Sequence, residues 1–280
     1  MIQLHKLVHY PAAIRVLCFL LLLALVWVPI ALFLYAWLGT DGSLSVIPLV
    51  LLYVLFVVWL VPWGRRVHGQ TQPLRAHGLE ATAQFGRELA MGIVVGLVSL
   101  KLLFTLEGWL GWLTWQPAPP TLVRIALEGL LVGLAVGLAE ELLFRGWLID
   151  ELRYNWGFTP ALWASGTIYA AVHFIKPWEA IVESLPSFPG LLLLGLTLGW
   201  ARQHTAGRLG LAIGLHGGLV AGYYLVDVGD LVIYTEQVPE WVTGLNQNPL
   251  AGAMGVLFLS FIAMGLRYLP KSHDSGVSYQ

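Results

Sequence analysis

The sequence predicts an all-α, polytopic membrane protein, and two observations lead to that fold class. Hydrophobic residues make up 58% of the 280 residues and charged residues only 11%, whereas a soluble domain carries about 25% charged residues. The chain also contains repeated apolar runs close to the ~20 residues that one membrane-spanning helix needs. The net charge of −1 gives no reason to expect a nucleic-acid partner.

About eight apolar segments have the length and composition of transmembrane helices. They are residues 13–38, 45–63, 88–107, 122–147, 159–176, 189–203, 209–226 and 250–269. The first run is too long for the apolar core of a signal peptide and has no small-residue cleavage site, so we predict a retained helix. It contains the single cysteine, Cys18, and the chain therefore has no internal disulfide.

The basic residues lie almost entirely on one side of this predicted topology. If the N-terminus is cytoplasmic, 12 of the 15 Lys and Arg residues fall on the cytoplasmic side, and only Lys101, Arg124 and Lys176 lie elsewhere. The outer loops are acidic instead. Because Lys and Arg favour cytoplasmic segments, we predict a multi-pass protein of the cell membrane with both termini in the cytoplasm.

Three regions follow from this topology. Residues 1–121 contain the first three helices and a polar cytoplasmic loop at 64–87. Residues 122–226 contain four helices and the charged residues at membrane depth, so we expect the functional core of the protein there. Residues 227–280 contain an external loop, the last helix and a polar tail.

Two adjacent carboxylates and an arginine lie within a segment otherwise suited to lipid. Glu140 and Glu141 follow a long apolar run, and Arg145 comes four residues after the second glutamate. A charged side chain at membrane depth costs at least ~2.5–3.5 kcal/mol, so such residues usually have a function or a charged partner. Two neighbouring carboxylates also disfavour each other's ionisation.

Helical phase assigns different roles to the two glutamates. Glu141 and Arg145 continue a series of glycines at spacing four that begins at Gly129, so all share one helix face. The glycines permit close approach of another helix, and Glu141 and Arg145 have the spacing of an ion pair. Glu140 points about 100° away. We therefore predict a paired Glu141 and a Glu140 available for chemistry.

A histidine is predicted at the same depth as Glu140. A turn is predicted at residues 155–157, with Glu140 sixteen residues before its centre and His173 seventeen residues after it. Antiparallel helices would thus bring these two residues to one height. Tyr169 lies one turn before His173 and is expected to pack against its ring. Pro177 is expected to end or kink this helix.

His216 is the second histidine within a predicted membrane helix. Gly217 and Gly218 follow it, and we expect them to leave room beside its ring. The candidate site residues are therefore Glu140, Glu141, Arg145, His173 and His216.

These motifs resemble the CPBP family, also called Abi or CAAX-protease-like. The pattern is Glu140-Glu141-x-x-x-Arg145, then Tyr169-x-x-x-His173, then His216 in a later helix. Members of this family are intramembrane glutamic endopeptidases related to the CAAX prenyl endopeptidases. The resemblance covers roughly residues 120–226.

The resemblance implies a role for each residue. Glu140 matches the glutamate that activates water as a general base, and His173 matches the histidine that helps to hold that water. Glu141 and Arg145 match supporting residues, and His216 matches a histidine that stabilises the oxyanion. The implied substrate is a peptide or a lipidated protein, including a prenylated one, cut near the cytoplasmic membrane face. No cofactor is implied.

Two positions depart from the family pattern. Tyr169 replaces the usual phenylalanine, which is a mild change. Val220 stands four residues after His216, where the family usually has asparagine or aspartate, and valine cannot donate a hydrogen bond to an oxyanion. Tyr223 or Tyr224 is a candidate substitute donor.

Two alternative functions fit the same residues. Two histidines and a glutamate can form a catalytic zinc site, although the chain lacks the His-Glu-x-x-His spacing of one helix. Val220 also fits a non-catalytic scaffold or immunity-type protein that keeps the fold and binds a partner.

Overall fold

The computed structural model describes residues 4–39 and 42–268, and most of these residues are helical. The α-helices are α1 (Ala12–Leu38), α2 (Ile47–Val67), α3 (Pro73–Ala76), α4 (Ala83–Trp109), α5 (Leu122–Glu140), α6 (Ile149–Trp156), α7 (Phe158–Val172), α8 (Trp178–Ser184), α9 (Phe188–His204), α10 (Gly210–Val228), α11 (Glu240–Thr243) and α12 (Ala253–Tyr268). A π-helix, Glu141–Leu148, joins α5 to α6. The strands are β1 (Leu113–Trp115) and β2 (Val232–Tyr234). The predicted polar tail lies outside the described residues.

The prediction of a helical membrane protein is confirmed. Within the described residues, six helical segments are long and apolar enough to cross a membrane. Helices also occupy the other two predicted positions, but α7 has 15 residues and α12 has 16, fewer than the ~20 of a typical span. The count of eight spans and the cytoplasmic location of the termini stay predictions.

The fourth predicted helix was placed too short and the fifth too long. The helical segment that begins at Leu122 continues through the π-helix to Trp156 rather than ending at 147. It can continue because Asp150 and Glu151 are paired with arginines inside the protein. α7 ends at Val172, before the predicted end at 176, and Pro177 precedes α8.

α10 packs between α4 and α5, and glycines allow this close approach. A Cβ atom at Gly137 of α5 would lie 2.8 Å from the carbonyl oxygen of Ile213. One at Gly96 of α4 would lie 2.7 Å from the backbone nitrogen of Leu219. Both distances are shorter than real Cβ contacts, so a larger residue at either position would push α10 away and displace His216.

The glycines after His216 also belong to helix contacts. Gly217 faces the backbone of Gly133 in α5, and Gly218 faces the backbone of Ile93 in α4. The space beside the His216 ring is therefore not their main role, contrary to the expectation from sequence.

The predicted external loops contain a small antiparallel ribbon that the sequence did not indicate. β1 pairs with β2, with Thr114 opposite Ile233. The Tyr234 hydroxyl donates to Glu107 Oε2 at 3.4 Å, which ties the ribbon to the end of α4. Burial and the nearby Glu107 carboxylate raise the pKa of Tyr234, so its hydroxyl stays protonated. Strands of three residues are too short to give a recognisable alternation.

The two ends of the helix bundle carry different connecting segments. Segments 110–121, 173–187 and 229–252 lie at the end that holds the two strands, which we call the ribbon end. Segments 68–82 and 205–209 lie at the opposite end, together with the turn at Gly157. We call this opposite end the arginine end.

Candidate active site

Glu140 is the last residue of α5, and the backbone changes from α-helix to π-helix directly after it. A π-helix forms i→i+5 hydrogen bonds, so each turn holds more residues and the side chains rotate relative to an α-helix. π-Helical segments are rare in proteins overall, but those that do occur are often found at functional sites. Here the π-helix contains Glu141 and Arg145, both fully buried.

Glu141 is paired with Arg145, as the spacing predicted. Arg145 Nη1 donates to Glu141 Oε1 at 2.8 Å, and their side chains are 1% and 0% exposed. The same guanidinium donates from Nε to the carbonyl oxygen of Gly195 at 3.4 Å and lies over the Tyr169 ring at 4.1 Å. Arg145 therefore links the π-helix to α7 and α9 while it neutralises Glu141.

His216 lies between the two glutamates. Its Nδ1 is 2.8 Å from Glu141 Oε1, and its Nε2 is 3.9 Å from Glu140 Oε2. An ionised carboxylate only accepts hydrogen bonds, so Nδ1 carries a proton that it donates to Glu141. This hydrogen bond fixes the ring so that Nε2 faces Glu140.

His173 follows the last residue of α7. Its Nδ1 is 2.7 Å from the carbonyl oxygen of Tyr169, and its ring packs edge-on against the Tyr169 ring at 4.8 Å. The expected packing of Tyr169 is thus present. Since Nδ1–H donates a hydrogen bond to a backbone carbonyl, Nε2 of the neutral ring has the free lone pair. His173 is exposed, unlike His216.

One cavity of about 380 Å³ brings the candidate residues together. Glu140, His173, His216 and Tyr169 all line it. Glu140 Oε2 is buried yet makes no hydrogen bond with any described residue. Glu141 and Arg145 do not line the cavity and instead lie behind it. The arrangement is a partly buried carboxylate with an unpaired oxygen and two imidazole rings around one space.

Val220 lines this cavity one helical turn after His216, so its side chain lies where the family pattern would have a polar group. The two candidate substitutes differ in position. Tyr223 lines the cavity, whereas Tyr224 packs against α5, where a Cβ at Gly129 would lie 2.9 Å from its ring. Of these two tyrosines, only Tyr223 has access to the cavity.

Several cavity residues were not indicated by the sequence. Lys176, Ser187 and Asn248 line the cavity, yet they belong to short connections between helices. Connections have no periodic pattern from which a facing direction could be predicted, so only the folded chain brings them to α5 and α10. A polar residue such as Ser187 or Asn248, in a short connection between apolar helices, was the sequence feature that could have indicated these positions.

Metal binding by these residues has limited geometric support. Within the described part of the chain, no group of three or more His, Cys, Asp and Glu side chains has a metal-binding arrangement. His216 uses Nδ1 for Glu141, and only its Nε2 faces the cavity. The zinc alternative stays a prediction that requires metal analysis.

Comparison with known proteins finds a family similarity in the segment that holds the site. Residues 122–221 match the family model for Rce1-like, type II CAAX prenyl endopeptidases, and we call these residues the Rce1-like segment. The resemblance drawn from the sequence is confirmed. No curated protein and no solved structure matches the chain.

The Rce1-like segment contains all five candidate residues, from Glu140 to His216. The match supports a CAAX-type protease function with a protein substrate, and together with the apolar helices it supports an integral membrane protein. The cavity is not built from this segment alone. Ser99 and Ile262, which also line it, lie on helices before and after the Rce1-like segment.

Proposed function

We propose that this protein is an intramembrane endopeptidase that hydrolyses a peptide bond of a membrane-associated substrate, with Glu140 as the general base. The observation that carries the proposal is the convergence of Glu140, His173 and His216 on one cavity, with Glu140 Oε2 unpaired there. The Rce1-like family match supports the reaction class. A carboxylate in a poorly hydrated cavity is a stronger base than one in water.

In the proposed reaction, a water molecule binds between Glu140 and His173. Glu140 takes one proton from this water as its oxygen attacks the carbonyl carbon of the scissile peptide bond. The Nε2 lone pair of His173 accepts the other water hydrogen as a hydrogen bond and orients the attack. When the carbon–nitrogen bond breaks, Glu140 gives its proton to the leaving amine nitrogen, which returns the carboxylate to its starting state.

His216 is assigned to the developing oxyanion. Its hydrogen bond to Glu141 fixes the ring orientation so that Nε2 faces Glu140 and the cavity. When Nε2 carries a proton, it can donate a hydrogen bond to the oxyanion. A preplaced donor of this kind is worth ~2.7–4 kcal/mol of barrier, and the ion pair with Arg145 holds the Glu141 carboxylate in place beside the ring.

A second candidate function follows from Val220. Because a valine lines the cavity beside His216, the chain has one hydrogen-bond donor fewer than the family pattern. The alternative is a non-catalytic membrane protein that holds a partner peptide in this cavity without cutting it. The alternative predicts stable binding of a partner that survives Glu140→Gln.

The test is hydrolysis by the purified protein in lipid vesicles, with a library of membrane-anchored and prenylated peptides as probes and mass spectrometry of the products. We expect cleavage by the wild type and none by Glu140→Ala or His173→Ala. Equal cleavage by both variants would falsify the proposal. Parallel samples treated with a chelator test the zinc alternative, since a zinc enzyme loses activity with its metal and the proposed reaction does not.

A further inference from the structure

The cavity extends from Glu140 in one direction along the helix bundle. On α10 its lining runs from His216 to Tyr223, which is the half of that helix nearer the ribbon end. On α4 it includes Leu103, six residues before the end of the helix, and on α12 it includes Gly255, near the start. All these positions lie between Glu140 and the ribbon end. The cavity therefore leads towards the ribbon end.

The opposite direction is filled by buried ion pairs. Behind Glu140 is the pair of Glu141 and Arg145, and beyond it Asp150 is paired with Arg202 at 2.9 Å and with His77 at 2.8 Å. The side chains of Arg145 and Arg202 are only 1% and 4% exposed. A peptide that entered from the arginine end would have to separate these pairs, which would leave uncompensated buried charges.

The two ends also differ in surface charge. The exposed arginines at the arginine end are Arg65, Arg66, Arg75, Arg87, Arg153 and Arg267. The exposed acidic residues at the ribbon end are Glu179, Glu183, Asp227, Asp230, Glu236 and Glu240. Among the described residues, the exposed Lys and Arg side chains nearer the ribbon end are Lys101, Arg124 and Lys176, and Arg124 is paired with Glu128 at 2.6 Å. The connections of multi-pass proteins that are rich in Lys and Arg face the cytoplasm.

We infer that the active-site cavity opens to the non-cytoplasmic side of the membrane. The closed arginine end faces the cytoplasm, and the substrate reaches Glu140 from the ribbon end. The sequence favoured cleavage near the cytoplasmic face, and the direction of the cavity reverses that expectation. The substrate class is then a membrane-anchored peptide whose cleavage site is presented on the non-cytoplasmic side. Only this last step depends on the proposed protease function.

Thiol labelling in sealed, right-side-out membrane vesicles tests the direction of the opening. Cys18→Ser removes the single cysteine, and one cysteine is then introduced at a time. Ser184→Cys reports on the cavity that Ser184 lines. Glu240→Cys and Arg66→Cys report on the ribbon end and the arginine end, since both residues are exposed. The probe is a charged, membrane-impermeant maleimide, added before or after detergent opens the vesicles.

We expect Ser184→Cys and Glu240→Cys to label equally before and after the membrane is opened, and Arg66→Cys to label only afterwards. Labelling of Ser184→Cys only after opening, together with Arg66→Cys, would overturn the inference. If Ser184→Cys reacts under neither condition, Lys176→Cys replaces it, because Lys176 is exposed and lines the same cavity; absence of labelling there too would contradict an open cavity. Labelling does not require hydrolysis, so loss of the proposed enzyme activity leaves this result unchanged.

Discussion

Buried carboxylates at the arginine end are paired with arginines, whereas the carboxylate in the cavity is not. At the arginine end, Glu141, Asp150 and Glu151 each form an ion pair with an arginine at 2.8–2.9 Å. In the cavity, Glu140 makes no ion pair with an arginine among the described residues; its Oε2 is 3.9 Å from His216 Nε2 and makes no hydrogen bond there. Glu140 and Glu141 are consecutive in the chain, so the difference is made by the surrounding helices.

This difference separates structural carboxylates from a reactive one. A buried carboxylate with an arginine partner is held in one ionisation state and one geometry, because removing either partner leaves an uncompensated charge. A carboxylate without such a partner can gain and lose a proton during a reaction, which a general base must do. Glu140 ends α5 and Glu141 begins the π-helix, and the two side chains point in different directions: Glu140 lines the cavity, whereas Glu141 is buried beside Arg145.

The largest expected effect is on hydrolysis by Glu140→Gln. Glutamine has nearly the same shape but cannot accept a proton from water, so we expect kcat to fall by about 10²–10⁴-fold. The free energy of unfolding should stay the same or rise, because Glu140 makes no ion pair with an arginine. The measurement is kcat on an identified peptide, with thermal unfolding in parallel.

Glu128→Gln is the matched control for this comparison. Glu128 lies on the same helix, its side chain is 39% exposed, and within the described part of the chain its ion pair is with the exposed Arg124. Exposed pairs are worth about 0–1 kcal/mol, so the control should keep both its activity and its stability. If Glu140→Gln had the same kcat as Glu128→Gln, Glu140 would not be the reactive carboxylate that we propose.

Arg145→Met tests how much the buried Glu141–Arg145 ion pair contributes to the free energy of unfolding. The substitution leaves Glu141 buried without its cation, and we expect a loss of about 3–5 kcal/mol in the free energy of unfolding. Glu141→Gln combined with Arg145→Met should recover most of this loss, because no uncompensated charge remains. The measurement is unfolding in lipid vesicles or mixed micelles. A double variant as unstable as the single one would show that shape, rather than charge, dominates at this position.

Contacts between site residues that are close in the sequence could be predicted from their spacing, whereas contacts between distant residues could not. The Glu141–Arg145 pair spans four residues of one helix, so its spacing was enough to predict it. The hairpin count brought His173 to the depth of Glu140, and both residues do line the cavity. The contact of His216 with both glutamates was not predicted, because α10 begins 70 residues after Glu140 and the sequence gives no rotation for it.

Most of the residues that line the cavity could not be predicted from the sequence either. Glycines on α4, α5 and α10 were visible as a pattern, but only their contacts show that α10 lies between the other two helices. Asn248 and Ser187 come from connections without periodicity. The π-helix could not be predicted either, since an apolar run of this length fits an α-helix equally well.

Arg15→Met tests whether the arginine end contributes to stability alone. Arg15 Nε donates to Glu151 Oε2 at 2.8 Å and Nη2 to the Glu151 carbonyl oxygen, tying α1 to α6. Because Glu151 also has hydrogen bonds from His68 and Trp63, we expect a smaller loss than for Arg145, about 1–3 kcal/mol. The activity per folded molecule should not change, since Arg15 does not line the cavity.

Arg66→Met provides the comparison for that variant. Arg66 is exposed, and surface substitutions of this kind usually change the free energy of unfolding by less than about 0.5 kcal/mol. The two variants remove the same charge from the same end of the molecule. A decrease in kcat for Arg15→Met, but not for Arg66→Met, would mean that α1 and α6 also position the catalytic groups.

Val220→Asn should increase the rate, and it is the smallest of the expected effects. An asparagine side chain one turn after His216 can donate a hydrogen bond into the cavity, where valine cannot. A well-placed donor raises the rate by about 10²–10³-fold; an introduced donor without its own supporting contacts should raise kcat by about tenfold or less.

Leu219→Asn is the matched control, because Leu219 is adjacent and lines the same cavity. A gain specific to position 220 assigns the oxyanion to the His216 side of the cavity. Equal rates for the wild type and Val220→Asn would instead mean that His216 stabilises the oxyanion without a second donor at this position.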